Sequence, residues 1–154
     1  MKLLRDLMET HARAGRVDWI GLRPARRTEV VAVDRVRIGV TGLEGDRHPS
    51  PGKRAVTLIQ AEHLPVIAAL CDGEVTPGAL RRNLLVSGIN LAALKGREVR
   101  VGTAFLRITG PCPPCSRMEE VLGRGGYSAV RHHGGWCAEV VEPGDVAIGD
   151  GVTP

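Results

Sequence analysis

Two cysteines that each follow a proline are the residues of this chain best placed to do chemistry. They occur in the segment GPCPPCSRM at residues 110 to 118, where Cys112 and Cys115 lie three positions apart. Arg117 comes two positions after the second cysteine. Such a segment is compatible with three kinds of chemistry: a metal site, a dithiol redox pair or a single nucleophilic thiolate.

A zinc site is the first alternative. The C-x2-C spacing of Cys112 and Cys115 suits zinc, and three later residues could complete a set of four ligands. These later residues are His132, His133 and Cys137. A structural zinc ion usually supports a segment without a core, whereas a chain of 154 residues can bury about two-thirds of its surface. We therefore expect no zinc, and a zinc-binding β domain is kept as an alternative.

A dithiol pair and a lone thiolate are the other two alternatives. Redox C-x-x-C motifs usually open a helix inside a βαβ unit, and this sequence shows no such alternation. Cys115 directly precedes SRMEEVL, a predicted short helix with a capping box between Ser116 and Glu119. A helix start and a nearby arginine stabilise a thiolate, so Cys115 is predicted to be the reactive thiol. The other three cysteines are expected to pack as small hydrophobic residues.

Composition limits the class of protein. Hydrophobic residues make up 43% and charged residues 25% of the chain, as in soluble globular domains. Eighteen of the 21 basic residues are arginines, which suit phosphate or carboxylate ligands. Aromatic residues are only 3%, so a stacking platform for nucleic acid is not expected. Charges interrupt the N-terminal apolar runs, so neither a signal peptide nor a membrane span is expected, and the predicted location is cytoplasmic.

The sequence pattern predicts one mainly β domain with a few short helices. Residues 2–13 have the apolar spacing of a helix, and residues 61–71 predict a second helix with Pro65 in an early turn. Short runs bounded by glycine and proline predict strands at intervals of about ten residues. Residues 29–40 carry alternating valines typical of a strand, and residues 136–152 predict two strands around the turn EPGD. Such a series favours a closed or sandwiched antiparallel sheet.

Four ordered segments of the chain carry a family resemblance. They are GLEGDRHPSPGKRAVTLIQAEHL, LRRNLLVSGINLAALKGREVRVG, ITGPCPPCSRMEEVLGRGGYSAV and HHGGWCAEVVEPGDVAIGD. Together they resemble the MOSC domain, named for the C-terminal domain of molybdenum-cofactor sulfurase, in its small free-standing bacterial type. The resemblance implies a closed or nearly closed β-barrel with a few short helices over residues 15–154. Residues 1–14 have no counterpart and are predicted to form a peripheral helix.

The resemblance implies a molybdenum-pterin cofactor or a sulfur cargo as the ligand. In the family, the cysteine after the proline-rich turn ligates molybdenum or carries sulfur as a persulfide, and Cys115 matches it. The pterin ends in a phosphate, which needs concentrated positive charge and backbone donors. The loop GDRH and the strand entry LRRN offer such groups, with Asp46 expected to tether Arg47 or the turn. The candidate cofactor-binding residues are Arg47, His48, Lys53, Arg54, Arg81, Arg82 and Asn83.

The resemblance leaves the reaction open. The protein is expected to be a molybdenum-dependent oxidoreductase acting on N-hydroxylated compounds, a sulfurtransferase or sulfur carrier, or a non-catalytic cofactor-binding module. The expected partners are a small-molecule cofactor or substrate, together with a sulfur donor protein or a reductase. None of the three lysines lies in a recognisable Schiff-base context, so pyridoxal phosphate is not expected.

Overall fold

The chain folds into a mainly β structure built on a closed barrel, as its sequence predicts. A computed structural model describes residues 3–47 and 51–154. These two ranges contain eleven strands. The strands are β1 Gly15–Leu22, β2 Val31–Val33, β3 Arg35–Gly39, β4 Gly42–Leu43, β5 Val56–Gln60, β6 Leu84–Ser87, β7 Glu98–Val101, β8 Ala104–Pro111, β9 Trp136–Glu142, β10 Gly144–Ala147 and β11 Gly151–Thr153.

Seven of these strands close into a ring. Their order is β1–β11–β7–β8–β9–β5–β6, and β6 then pairs with β1 again. Neighbouring strands run antiparallel except β5 and β6, which are parallel. Strand β2 pairs with β1, and a separate three-stranded sheet is formed by β3, β4 and β10. The barrel is therefore closed by the pairing of β1 with β11.

Alternating side chains fill the inside of the barrel. In β7 the fully buried residues are Val99 and Val101, and in β8 they include Leu106 and Ile108. Side chains along a strand point to opposite faces in turn, so each strand contributes one face to the interior. The interior is an apolar core, as expected for a barrel of this strand number.

Strand β5 is buried on both faces because short helices cover it from outside. Val56 and Leu58 join the barrel core, whereas Ile59 joins a second apolar cluster that includes Ile67 and Met118 from two of these helices. The helices of the described residues are α1 Leu4–Met8, α2 Leu64–Ala69, α3 Arg117–Leu122 and α4 Gly126–Val130, with 3-10 turns at Ala61–His63 and Leu91–Leu94. None of these helices is long and apolar enough to cross a membrane.

Two predicted strand segments are arranged differently from the sequence expectation. The alternating run at residues 29–40 is split, because β2 pairs with β1 while β3 pairs with β10 in the other sheet. Strands β9 and β10 flank the turn EPGD without pairing with each other, and the third strand β11 follows them. Strand pairing depends on side-chain packing against distant neighbours, which local alternation does not encode.

The capping box predicted at Ser116 is wrong. Helix α3 begins at the expected place, but the Ser116 side chain makes no capping hydrogen bond. The Glu119 carboxylate instead accepts hydrogen bonds from the backbone N–H groups of Gly125 (2.9 Å) and Tyr127 (3.0 Å). These groups lie at the start of α4, a helix absent from the sequence-based prediction. The first N–H groups of any helix have no acceptors within that helix. Glu119, in the preceding helix, provides acceptors for two of these groups at the start of α4.

Removing residues 1–13 is expected to leave the barrel folded. Helix α1 buries none of its residues. More than half of the surface is exposed at each of the apolar residues in and beside this helix, namely Leu3, Leu4, Leu7 and Met8. We expect the free energy of unfolding to fall by no more than about 2 kcal/mol, as measured by urea denaturation. Loss of all soluble protein on truncation would show that the helix belongs to the core or to a subunit interface.

Candidate functional site

A buried asparagine organises the end of the barrel at which candidate residues meet. Asn83, directly before β6, is fully buried, and its Nδ2 donates to the carbonyl of Gly21 in β1 (3.0 Å). Its Oδ1 accepts from the backbone N–H and the hydroxyl of Thr57 in β5 (3.1 and 3.2 Å) and from Arg23 (3.3 Å). One amide thereby joins β1, β5 and β6 to the first arginine of the site.

Arg23 continues this network to Asp46. Its Nε and Nη2 donate to the two carboxylate oxygens (3.1 and 2.8 Å), and its backbone N–H donates to the same carboxylate (2.7 Å). The Asp46 side chain is fully buried and that of Arg23 is 11% exposed. A bidentate pair of this kind fixes both side chains in one geometry. Asp46 thus tethers Arg23, an arginine that the sequence analysis did not single out.

Arg81 is held by backbone carbonyls rather than by a carboxylate. Its guanidinium donates to the carbonyls of Ala25 (3.2 Å) and Thr28 in the loop after β1. Burial lowers the pKa of Arg81, and the positive charges of neighbouring arginines, Arg117 first, lower it further against the smaller opposing effect of Asp46. A bound anion would relieve the part of this shift that comes from like charge.

Arg82 carries a buried positive charge with an unused donor. The residue is 6% exposed, and it donates from Nε to the Gly134 carbonyl (2.6 Å) and from Nη1 to the Leu80 carbonyl (2.9 Å). Its buried Nη2 has no hydrogen-bond partner within the described residues, and the same holds for Nε of Arg117. Buried polar nitrogens are nearly always bonded, so unused donors mark where the acceptor atoms of a ligand are expected.

These arginines surround a cavity that also includes Cys115. The cavity has a volume of about 310 Å³, and a second cavity of about 350 Å³ shares Arg27, Arg81 and Arg117 with it. Volumes of this order are typical of small-ligand sites. Among the described residues, seven arginines line the first cavity, here called the arginine cavity: Arg23, Arg26, Arg27, Arg47, Arg81, Arg82 and Arg117.

Part of the predicted site therefore comes together. The lining of the arginine cavity includes Cys115 with Arg47, Arg81 and Arg82, all of which the sequence analysis proposed. The analysis missed the segment LRPARR at residues 22–27, whose three arginines also line the cavity. A dense run of arginine around a proline was an available signal. The sequence did not show which loops meet at the same end of the barrel.

Three other predicted residues lie outside the arginine cavity, and a fourth is not among the described residues. Lys53 and Arg54 are exposed and do not line the arginine cavity. Asn83 bonds to strands of the barrel instead of lining the cavity. His48 lies outside the described residues. A binding role for these four residues remains a prediction from the sequence.

Cys112 has surroundings of a different kind. It is half-buried, its backbone N–H donates to the Gly135 carbonyl (2.8 Å), and its thiol is hydrogen bonded with that of the buried Cys137. This hydrogen bond lowers the pKa of Cys112 to about 6, helped by the positive charges of arginines, Arg82 first, and opposed by burial. The same bond raises the pKa of Cys137. The Cys112 thiol therefore ionises more readily than an ordinary cysteine thiol.

The residues proposed for zinc do not converge. Within residues 3–47 and 51–154, no group of three or more histidine, cysteine, aspartate or glutamate side chains could hold a metal ion. His133 lies edge-on to His63 (ring centroids 5.1 Å apart), and Cys137 bonds to Cys112. A single thiolate that ligates the metal of a bound cofactor would not form such a group, so this finding bears on zinc alone.

Comparison of the sequence with protein-family models gives one match. The model of the MOSC domain matches residues 40–153. Strand β1 precedes the matched range but belongs to the barrel, because it pairs with β6 and β11. No curated protein matches the sequence significantly.

Solved structures with the same fold come from several bacteria. The YuaD protein from Bacillus subtilis superposes with a TM-score of 0.79 at 19% identity, over 91% of this chain and 94% of that one. YiiM from Escherichia coli superposes with a TM-score of 0.68 at 24% identity, over 92% of this chain and 69% of that one. YiiM from Geobacillus stearothermophilus superposes with a TM-score of 0.71 at 18% identity, over 90% of this chain and 74% of that one. At these identities the similarity shows the fold alone.

Replacing Asn83 with alanine is expected to destabilise the fold strongly. The change leaves the Thr57 N–H and the Gly21 carbonyl without their amide partner, and unsatisfied buried groups of this kind cost about 2–4 kcal/mol together. Asn90→Ala is the matched control, since Asn90 is exposed and caps a 3-10 turn through Ala92 (3.2 Å), which is worth about 1 kcal/mol. Urea denaturation compares the two variants. Equal losses would contradict the structural role assigned to Asn83.

Proposed function

The chain belongs to the MOSC domain family, and on that premise we propose that its arginine cavity binds the molybdenum-pterin cofactor with Cys115 as the thiolate ligand of the metal. The observation that carries the proposal is the concentration of positive charge around one exposed thiol. Seven arginines line the cavity, and buried nitrogens of Arg82 and Arg117 have no partner within the described residues. A phosphate-bearing anion suits these donors.

The arginines have different roles in this proposal because their side chains are bonded in different ways. Arg23 is paired with Asp46, so its charge is already balanced and its role is to position the loop. Arg81 and Arg82 donate to neutral carbonyls, which orient a guanidinium without neutralising it. Arg47 is exposed and its side chain is free to close over a ligand. The terminal phosphate of the pterin would therefore be held by Arg81, Arg82 and Arg47.

Cys115 supplies the soft ligand in this proposal. It is exposed and lines the same cavity as the arginines. Thiolate sulfur suits soft transition metals, and the arginines that line the cavity place positive charge around this sulfur. When bound, the cofactor would supply two-electron redox chemistry, and a separate reductase would then be the partner. The chain itself would anchor the phosphate, present the sulfur ligand and leave room for substrate in the adjoining cavity shared through Arg27.

Sulfur transfer is the second candidate function, because the exposure of Cys115 gives a donor protein access to its sulfur. Cys115 would then carry the cargo as a persulfide, whose terminal sulfur is negatively charged at neutral pH. The same arginines would stabilise that charge. The two functions share the cavity and differ in whether the purified protein contains molybdenum and pterin.

We predict that Cys115→Ser abolishes cofactor retention while leaving the fold intact. Protein purified from a host that makes the cofactor should contain molybdenum and a fluorescent pterin, and the variant should retain less than about a tenth of both. A single exposed sulfur-to-oxygen change removes little packing, so the thermal midpoint should not move. Cys71→Ser is the matched control and should keep its metal. Full molybdenum content in Cys115→Ser would overturn the assignment of the ligand.

Arg47→Ala is predicted to weaken anion binding without unfolding the protein. Loss of one charge-assisted hydrogen bond should reduce the affinity for inorganic pyrophosphate about tenfold, measured by the thermal shift it produces. The difference should shrink at high salt, because exposed charges are screened. Arg13→Ala serves as the control, since Arg13 is exposed and lies beyond the opposite end of β1 from Arg23. Equal effects of the two variants would show that the site is misassigned.

A further inference from the structure

The two cysteines of the C-x-x-C segment lie in different cavities. Cys115 lines the arginine cavity, whereas Cys112 lines another cavity of about 360 Å³ that has no lining residue in common with it. The prolines at positions 113 and 114 belong to the wall on the Cys112 side. The motif is therefore not a dithiol pair of the kind that its spacing suggests. The cavity at Cys112 is called the second thiol cavity below.

The partner of Cys112 is Cys137, from a neighbouring strand. Strands β8 and β9 pair with Gly110 opposite Cys137, and the Cys112 N–H bonds to the Gly135 carbonyl (2.8 Å), which brings the two cysteines to the same end of the ladder. Their thiols are hydrogen bonded, with Cys137 fully enclosed and Cys112 open to the cavity. The sulfur that faces the cavity thus has a second thiol as its hydrogen-bond partner.

A positive charge lies behind this pair. The Nη2 of Arg82 is buried and has no partner within the described part of the chain. Arg82 Nε holds the carbonyl of Gly134, a residue of the cavity wall. A Cβ at Gly134 would come within 3.3 Å of Arg82 Nη2 and 3.0 Å of the Cys112 carbonyl, so a side chain there would be tightly packed against both residues. The positive charge of Arg82 therefore lies close to Cys112 and favours negative charge on its sulfur.

The lining of the second thiol cavity indicates the kind of molecule that fits. Lys95, Arg131 and His132 supply positive charge or hydrogen-bond donors, and Tyr127 and Trp136 with the proline segment supply apolar walls. Carboxylate groups on a small organic molecule match the first set, and its aliphatic parts match the second. The cavity volume is typical of a site for a small organic ligand and is larger than a peroxide requires.

We propose that Cys112 is the nucleophile of a second thiol site, at which it attacks the sulfur–sulfur bond of a small carboxylate-bearing disulfide and Cys137 resolves the product. The Cys112 thiolate forms a mixed disulfide with one half of the substrate, and the other half leaves as a thiolate that takes a proton from water. Cys137 then loses its proton to water and attacks the Cys112 sulfur. A Cys112–Cys137 disulfide forms and the second half leaves as a thiol.

The electrons balance over these two exchange steps. The substrate disulfide is reduced to two thiols, and the two cysteines are oxidised to one disulfide. Formation of the mixed disulfide favours the resolving step, because the hydrogen bond with Cys112 is the largest cause of the raised pKa of Cys137, ahead of burial. Once Cys112 is in a mixed disulfide, its negative charge no longer strengthens this bond. The exchange does not use Cys115, although Arg82 and Arg23, whose charges lower the pKa of Cys112, also line the arginine cavity.

The first test follows each cysteine by mass spectrometry after the full chain is mixed with oxidised glutathione at pH 7. We expect a transient glutathione adduct on Cys112 and then a Cys112–Cys137 disulfide. Cys137→Ser and Cys137→Ala should trap the adduct on Cys112, two variants being used because Cys137 is buried. Cys112→Ser should give neither product, and Cys71→Ser should behave as the parent. Adducts on Cys71 or Cys115 with Cys112 unmodified would overturn the proposal.

The second test separates this site from the cofactor site and checks the recognition of carboxylates. Cys115→Ser should lose molybdenum but keep the exchange, so failure of one assignment leaves the other intact. Cystamine, a cationic disulfide without carboxylates, should react about fivefold more slowly than oxidised glutathione at low salt. The double variant Lys95→Ala, Arg131→Ala should remove that preference. Equal rates for the two disulfides in the parent protein would refute carboxylate recognition.

The third test uses pH. Iodoacetamide reacts with thiolates, so alkylation of Cys112 should be lost below a midpoint near pH 6, whereas an ordinary thiol loses it below about 8.5. The charged groups facing Cys112 are Cys137 and the side chains of residues 23, 54 and 82, with residues 95, 131 and 132 across the cavity. His132 also lines the cavity, so His132→Gln must keep the midpoint. A midpoint near 8.5 for Cys112 in the parent protein would refute its assignment as the nucleophile.

Discussion

The buried amide of Asn83 is the contact on which both cysteine sites depend. It bonds to β1 through Gly21, to β5 through Thr57 and to Arg23, at the place where the only parallel pair among the described strands begins. A buried amide satisfied by three elements fixes them in one arrangement, because any shift leaves a polar group without a partner. The two residues before it, Arg81 and Arg82, are therefore presented from a rigid backbone.

The arginines of the arginine cavity are oriented by two kinds of hydrogen-bond acceptor. Arg23 is neutralised by the buried Asp46, whereas Arg81 and Arg82 are oriented by carbonyl oxygens that leave their charge uncompensated. Pairing every arginine with a carboxylate would have left no uncompensated charge for an anion. The lowered pKa of Arg81 reflects burial first and then this uncompensated charge. A site of this kind gains stability when a ligand supplies the missing negative charge.

The segment from Cys112 to Cys115 divides two environments. Its rigid prolines leave Cys115 exposed among arginines and bring Cys112 against Cys137 on the neighbouring strand. Arg82 contributes to both sides, since it lines the arginine cavity and also lowers the pKa of Cys112. Two thiols in one short segment can therefore have separate chemistry, because charge and hydrogen bonding around a sulfur decide its reactivity more than its spacing in the sequence.

The sequence by itself determined the mainly β fold, the family and the helix after Cys115, because these depend on local pattern and on ordered motifs. It also predicted a binding role for the arginines at positions 47, 81 and 82, which line one cavity. It did not determine that Asn83 is part of the barrel framework, that residues 23–27 join the site or that Cys112 pairs with Cys137. Each of these depends on contacts between segments far apart in the chain. Strand order in a closed barrel decides such contacts, and it is fixed by the packing of the whole core rather than by any one segment.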